Sequence, residues 1–139
     1  MRILVSACLI GYNCKYNGSN NLNLKVKELI SKHEVIPVCP EMLGNLSCPR
    51  IPCEKVGNKV MDKEGNDCTK QFIDGACKAL NIAKENDIEL AILQKRSPSC
   101  GLSVIYDGTF TGQLISGSGV FAEMLRSLNI PILEAESEN

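Results

Sequence analysis

The chain has 139 residues, 44% of them apolar and 22% charged, and its formal net charge is −1. That length suits one domain, residues 1–139, around one core, and no basic or acidic block offers a nucleic-acid surface. Aromatic residues reach only 4% with no Trp, which leaves little for base stacking. No apolar run approaches the roughly 20 residues of a membrane span, and "MRILVSACLIGYN" lacks the pattern of a signal peptide. A cytoplasmic protein with neither a nucleic-acid nor a membrane partner is expected.

"RILVSA" (residues 2–7) reads as a buried strand. After a polar loop, "NLKVKELISKH" (23–33) reads as an amphipathic helix capped by Asn23, with Leu24, Leu29 and Ile30 as its apolar positions. "EVIPVC" (34–39) is a second strand, which Pro37 puts near an edge. Residues 40–54, with three prolines and a glycine, read as an ordered loop, and "EKVGNKVMD" as a hairpin turning at Gly57-Asn58. The clearest helix is "DCTKQFIDGACKALNIAKEN", with Phe72, Ile73, Ala76, Leu80 and Ala83 on one face and Thr69 or Asp67 as cap. "IELAIL" (88–93) is a third strand, "IYDGTFTG" turns at Asp107-Gly108, "GSGVFAEMLRSLN" is a final helix and "IPILEA" a fourth strand. The tail, 136–139, is expected to fray. This alternation predicts an α/β fold of three layers, Rossmann-like, around a mainly parallel sheet.

In such sheets ligands bind at the carboxyl ends of strands, near a switch point in strand order. Cys8, Cys39 and Cys100 each lie at or shortly after such an end, so parallel strands would bring three thiols distant in sequence to one edge. The chain has eight cysteines but no C-x-x-C, which argues against a zinc ribbon and a thioredoxin-type dithiol. A metal or redox role is the likelier chemistry in a reducing compartment. An iron–sulfur cluster accepts dispersed ligands, and three cysteines on a [4Fe–4S] cluster would leave one iron open as a Lewis acid. The competing reading is a mixture of buried and surface thiols. Cys77 reads as a core residue and Cys68 as a partly buried one at a helix start, while Cys14, Cys48 and Cys53 lie in loops that could flank the site.

Glu41, two residues after Cys39, is a candidate general acid or base, with a solvated loop glutamate as the alternative. Ser97 and Ser99 could bind a substrate or a cluster sulfur, or simply make the turn. Arg50 could hold an anionic or carbonyl group of a ligand. The glycines from Gly117 lack the strand and acidic residue of a dinucleotide fingerprint, and read instead as an anion-friendly helix start. His33, the sole histidine, reads as a surface residue, which disfavours a His-based hydrolase.

The segments "VSACLIGYNCKYNG", "VIPVCPEMLGNLSCPRIPCE", "DCTKQFIDGA", "AILQKRSPSCG", "IYDGTFTG" and "GSGVFAEML" occur in an order that resembles the thiouracil desulfidase (TudS) family, a small bacterial domain long of unknown function. The resemblance covers nearly the whole chain. It implies an oxygen-sensitive [4Fe–4S] cluster on Cys8, Cys39 and Cys100, and removal of sulfur from a thiolated pyrimidine such as 2-thiouracil by the open iron. It also implies acid–base help from Glu41 with Ser97 or Ser99. Two other readings stay open: an iron–sulfur or sulfide-transfer module without turnover, and a thiol redox protein using a pair such as Cys48 and Cys53.

Overall fold

The computed structural model describes residues 1–136. Its centre is a four-stranded sheet in the order β2-β1-β5-β8, built from β1 (Arg2–Ser6), β2 (Glu34–Val38), β5 (Leu90–Gln94) and β8 (Ile132–Ala135). All three pairings are parallel. The chain passes from β1 to β2 on one side, then returns to β5 on the other, so strand order switches between β1 and β5. Pro37 sits on edge strand β2, where a missing N–H is tolerated.

The two-residue period of the strands divides the core. Ile3, Val5 and Ile92 point to one face, where Val26 and Ile30 of α1 (Leu24–Ile30) cover them together with Leu9. Leu4, Ala91 and Leu93 point to the other, against Ala76, Ala79 and Ala83 of α3 (Thr69–Glu85) and Phe121, Ala122 and Leu125 of α4 (Val120–Arg126). A parallel sheet with helices on both faces is the architecture the element order predicts. Among the described residues no helix is long and apolar enough to cross a membrane.

The helix faces differ from expectation in detail. Asn23 caps α1 through a 3.0 Å bond from the Val26 amide, but Leu24 and Leu29 are exposed. With about two turns, α1 reaches the sheet only through Val26 and Ile30, four residues apart. Along α3 the buried row is Phe72, Gly75, Ala76, Ala79 and Ala83. Ile73 and Cys77 belong to the adjacent row, one residue or about 100° around the helix, and are exposed, so Cys77 is no core residue. The Asp67 carboxylate accepts the Thr69 amide at 2.9 Å, whereas the Thr69 hydroxyl takes the Val60 amide of β4 (Lys59–Asp62).

Residues 40–54 are not simply a loop: Pro40–Leu43 forms a short helix, α2, and Cys53 opens strand β3 (Cys53–Val56). β3 and β4 pair antiparallel and turn at Gly57-Asn58. β6 (Val104–Tyr106) and β7 (Leu114–Ser116) form a second hairpin. Its loop spans residues 107–113 and is longer than an Asp-Gly turn, because Asp107 instead accepts from the Thr109 amide and hydroxyl. At the tail, the Glu136 carbonyl accepts from Asn23 and its carboxylate pairs with Arg96. The rest of the expected frayed tail lies outside the described residues.

Candidate functional site

Cys8 lies in a 3-10 turn, Ala7–Ile10, that follows β1 directly. Cys39 directly follows β2 and is the residue before α2. Cys100 lies in the Ser97–Gly101 loop after β5. All three line one cavity of about 410 Å3, together with Cys14, Glu41 and Arg50. It opens at the carboxyl ends of β2, β1 and β5, beside the switch in strand order.

Two close approaches seat these loops. Where α2 crosses α3, a Cβ on Gly75 would stand 1.8 Å from the Pro40 carbonyl oxygen, and one on Gly44 2.0 Å from that of Gln71. Only hydrogen at both positions lets α2 settle and brings Cys39 and Glu41 into the cavity wall. At the other wall, amides at the start of α4 grip the Ser97–Gly101 loop: Val120 donates to the Pro98 carbonyl at 2.9 Å, and Phe121 and Ala122 to that of Ser99. A Cβ on Gly119 would lie 2.4 Å from the Ser99 carbonyl carbon. The glycine-rich helix start therefore spends these N–H groups on the cysteine loop rather than on an external anion.

The thiols do not share one environment. Cys14, buried, is hydrogen-bonded to both Cys8 and Cys39. That contact is the chief reason the Cys39 thiol falls to about 7; the Met42 amide and Arg50 assist, against burial and Glu41. Cys8 is lowered too, by Cys14 first and then by Asn21, whose Nδ2 donates to Cys8 Sγ at 3.6 Å. Cys14 is correspondingly pushed up, as the thiol that keeps its proton. Burial raises Cys100 well above an ordinary thiol, and Ser6 partly offsets this.

Glu41 and Arg50 form an ion pair with side chains 15% and 7% exposed. Arg50 Nε and Nη2 reach Glu41 Oε1 at 3.3 and 3.2 Å, and the guanidinium also donates to the Cys14 and Ser47 carbonyls and to Met42 Sδ. Arg50, read from the sequence as a ligand anchor, thus spends its donors on the protein and orients the carboxylate. The other oxygen, Oε2, accepts from the Ser99 hydroxyl at 3.2 Å. Ser99 is 1% exposed and lies behind the cavity wall. Ser97 lines the cavity, and its Oγ accepts the Ser99 and Cys100 amides at 3.1 and 3.0 Å, so it also makes the turn.

Of the remaining cysteines, Cys53 also lines the cavity. Cys48 Sγ donates to the Asn13 and Lys15 carbonyls at 3.1 and 3.3 Å. Cys53 meets Cys68, a contact that joins β3 to the start of α3. His33 is exposed. Sequence reasoning missed Asn21 and Ser6 as donors to the ligand candidates, since nothing in their spacing marks them, and left Cys14 undecided although its Cys8-x5-Cys14 spacing was visible.

The 2-thiouracil desulfurase family model matches residues 3–137. The uncharacterized protein YbbK of Bacillus subtilis (strain 168) is 39% identical over 147 aligned positions, which cover 99% of this chain and 97% of that protein. A solved structure of the [4Fe–4S]-dependent thiouracil desulfidase TudS (DUF523Vcz) superposes with a TM-score of 0.89 at 35% identity, covering 96% of this chain and 89% of the other. With the match running from the first strand past the last, the chain belongs to the 2-thiouracil desulfurase family.

Proposed function

We propose that this chain is a [4Fe–4S]-dependent desulfidase that removes sulfur from a thiolated pyrimidine such as 2-thiouracil, with the cluster held by Cys8, Cys39 and Cys100. The observation that carries the reading is the meeting of these three thiols and Glu41 in the wall of one cavity. The donor set suits the group. It is all sulfur, each member has a nearby polar donor (Asn21, the Met42 amide or Ser6), and among the described residues no three His, Cys, Asp or Glu close on a single ion. Thiols spread around a cavity fit a polynuclear cluster better than a lone zinc. The family and the solved relative support the same chemistry.

When bound, the cluster would supply an iron without a cysteine as a Lewis acid toward the thiocarbonyl sulfur. Overall, a thiocarbonyl and water become a carbonyl and hydrogen sulfide. Glu41 takes a proton from the attacking water and returns it to the departing sulfur. Arg50 fixes one carboxylate oxygen and Ser99 the other, so Ser99 positions Glu41 from behind the wall, whereas Ser97 faces the substrate space. Truncating Ser99 removes one hydrogen bond and lowers kcat roughly threefold to tenfold with little change in KM.

The test is anaerobic reconstitution followed by iron, sulfide and turnover assays. About four irons and four sulfides per chain, with conversion of 2-thiouracil to uracil and sulfide, is the expected result. A chain that loads iron but releases no sulfide from any thiolated pyrimidine overturns the enzymatic part, and one that loads none overturns the cluster.

A further inference from the structure

The cavity grades from a buried floor to a charged rim. Ser6, Val38 and Cys100 are buried, whereas Arg96 and Glu136, which line it too, have side chains 38% and 45% exposed. Its wall carries the cations Lys15, Arg50, Lys95 and Arg96 and the carboxylates Glu41, Glu54 and Glu136. Glu41 is spent on Arg50 and Ser99, and Glu54 Oε1 accepts the Gly108 and Phe110 amides at 3.0 and 3.2 Å. Lys15 Nζ stands 5.8 Å over the Tyr16 ring, and among the described residues neither Lys15 nor Lys95 has an ion-pair partner. Arg96 does have one, because the Glu136 carboxylate lies on its guanidinium.

Both members of that pair are held in place. Arg96 adopts a left-handed backbone conformation, φ 62°, uncommon for a residue with a side chain, and bridges to Ile105. Glu136 follows β8, where the Ala135 carbonyl takes the Lys95 amide at 2.8 Å, and its own carbonyl accepts from Asn23 Nδ2 at 2.7 Å.

We propose that Glu136 is a specificity-determining residue of the site: by occupying Arg96 it biases the cavity toward thiolated pyrimidines with an uncharged ring and against anionic ones. The inference rests on the desulfidase reading. An anionic substituent at the rim is drawn by Lys15, Lys95 and Arg96, and Glu136 both cancels one of these cations and repels the newcomer. A neutral ring feels neither effect to first order, so Glu136 acts on the ratio of two substrates rather than on the chemistry of either. With both side chains more than a third exposed, water screens the interaction, and its size is that of a surface ion pair.

Wild-type protein, Glu136→Gln and Arg96→Gln are reconstituted without oxygen and checked for iron and sulfide content. They are assayed on 2-thiouracil and on its 5- and 6-carboxylate derivatives, which differ from it by one negative charge. Calorimetry on the same proteins with uracil and its two carboxylates gives the binding ratio without turnover. Glu136→Gln is expected to raise the preference for the carboxylates over the neutral base roughly twofold to fivefold, and Arg96→Gln to lower it, both shifts shrinking in high salt. Opposite signs separate a charge effect from a loosened rim, which would move both variants the same way. Ratios unchanged in Glu136→Gln, or moved in one direction by both variants, overturn the inference. Wild-type protein that releases sulfide from none of the three compounds overturns the desulfidase reading and this inference with it, and that failure is seen before any variant is made.

Discussion

The described residues contain two groups of touching thiols: in one, two thiols are lowered at the expense of a third, and in the other both are raised. At the cavity, Cys14 donates to Cys8 and Cys39 and lowers both, Cys39 to about 7. Where β3 meets the start of α3, Cys53 and Cys68 also touch, yet both are raised, chiefly by burial, with the nearby Asp62 charge adding to it. Residue type and thiol–thiol contact are common to both groups. The difference lies in the balance. At the cavity Cys14, helped by Asn21 Nδ2 and the Met42 amide, outweighs burial and the Glu41 charge. At Cys53 and Cys68 burial outweighs every contact that lowers a thiol. A thiolate-binding site therefore depends on where the backbone and a few polar side chains terminate.

The largest contrast is expected on truncation. Cys39→Ala should abolish cluster loading, while Cys53→Ala should retain the iron content of wild type. Iron assays on the two reconstituted proteins check this, and equal loss in both would erase the distinction between the groups.

Next is the ion pair in the cavity wall. Arg50→Met leaves Glu41, 15% exposed at its side chain, without its cationic partner. Breaking a buried pair from one side costs about 3–5 kcal/mol, and the Cys14 carbonyl loses its donor too. Denaturant unfolding of the metal-free variant measures the cost. A loss under about 1 kcal/mol would class the pair with exposed ones.

The smallest effect is one of pH. In metal-free protein, alkylation of Cys39 should be half-maximal near pH 7, falling below that value as the thiolate takes up its proton and levelling off above it. Cys53 and Cys68, both raised, should stay slow through the same range. Peptide-resolved mass spectrometry follows each thiol separately. In Cys14→Ala the Cys39 midpoint should move upward, because the largest cause of its lowering is gone.

Much of the scaffold was legible in the order of residues. The runs "RILVS", "EVIPV" and "LAILQ" are short, apolar and β-rich, and a parallel sheet follows because helical segments separate them. That sheet accounts for Cys8, Cys39 and Cys100 sharing an edge. Less legible was any feature set by a close approach. Residues 40–54 looked like a loop because prolines break patterns, yet Pro40 starts a helix where its missing N–H costs nothing, and Gly44 and Gly75 let that helix touch α3. On α3 the expected face holds at Phe72, Ala76, Ala83 and, packed against the core, Leu80, but fails at Ile73 and Cys77, which are as apolar as the buried residues and yet exposed.

The sequence by itself determined the α/β alternation, the strand-end position of three cysteines and the resemblance that joined them, because periodicity and motif order are local properties of the chain. Only the tertiary structure decided which polar groups those thiols meet. It set Cys14 between Cys8 and Cys39, turned Arg50 from the ligand space onto Glu41, chose Ser99 over Ser97 as that carboxylate's partner, and paired Cys53 with Cys68. The longest of these, Cys14 to Cys39 and Ser99 to Glu41, join residues 25 and 58 positions apart. They are fixed by how the elements pack, which no local pattern in the chain records.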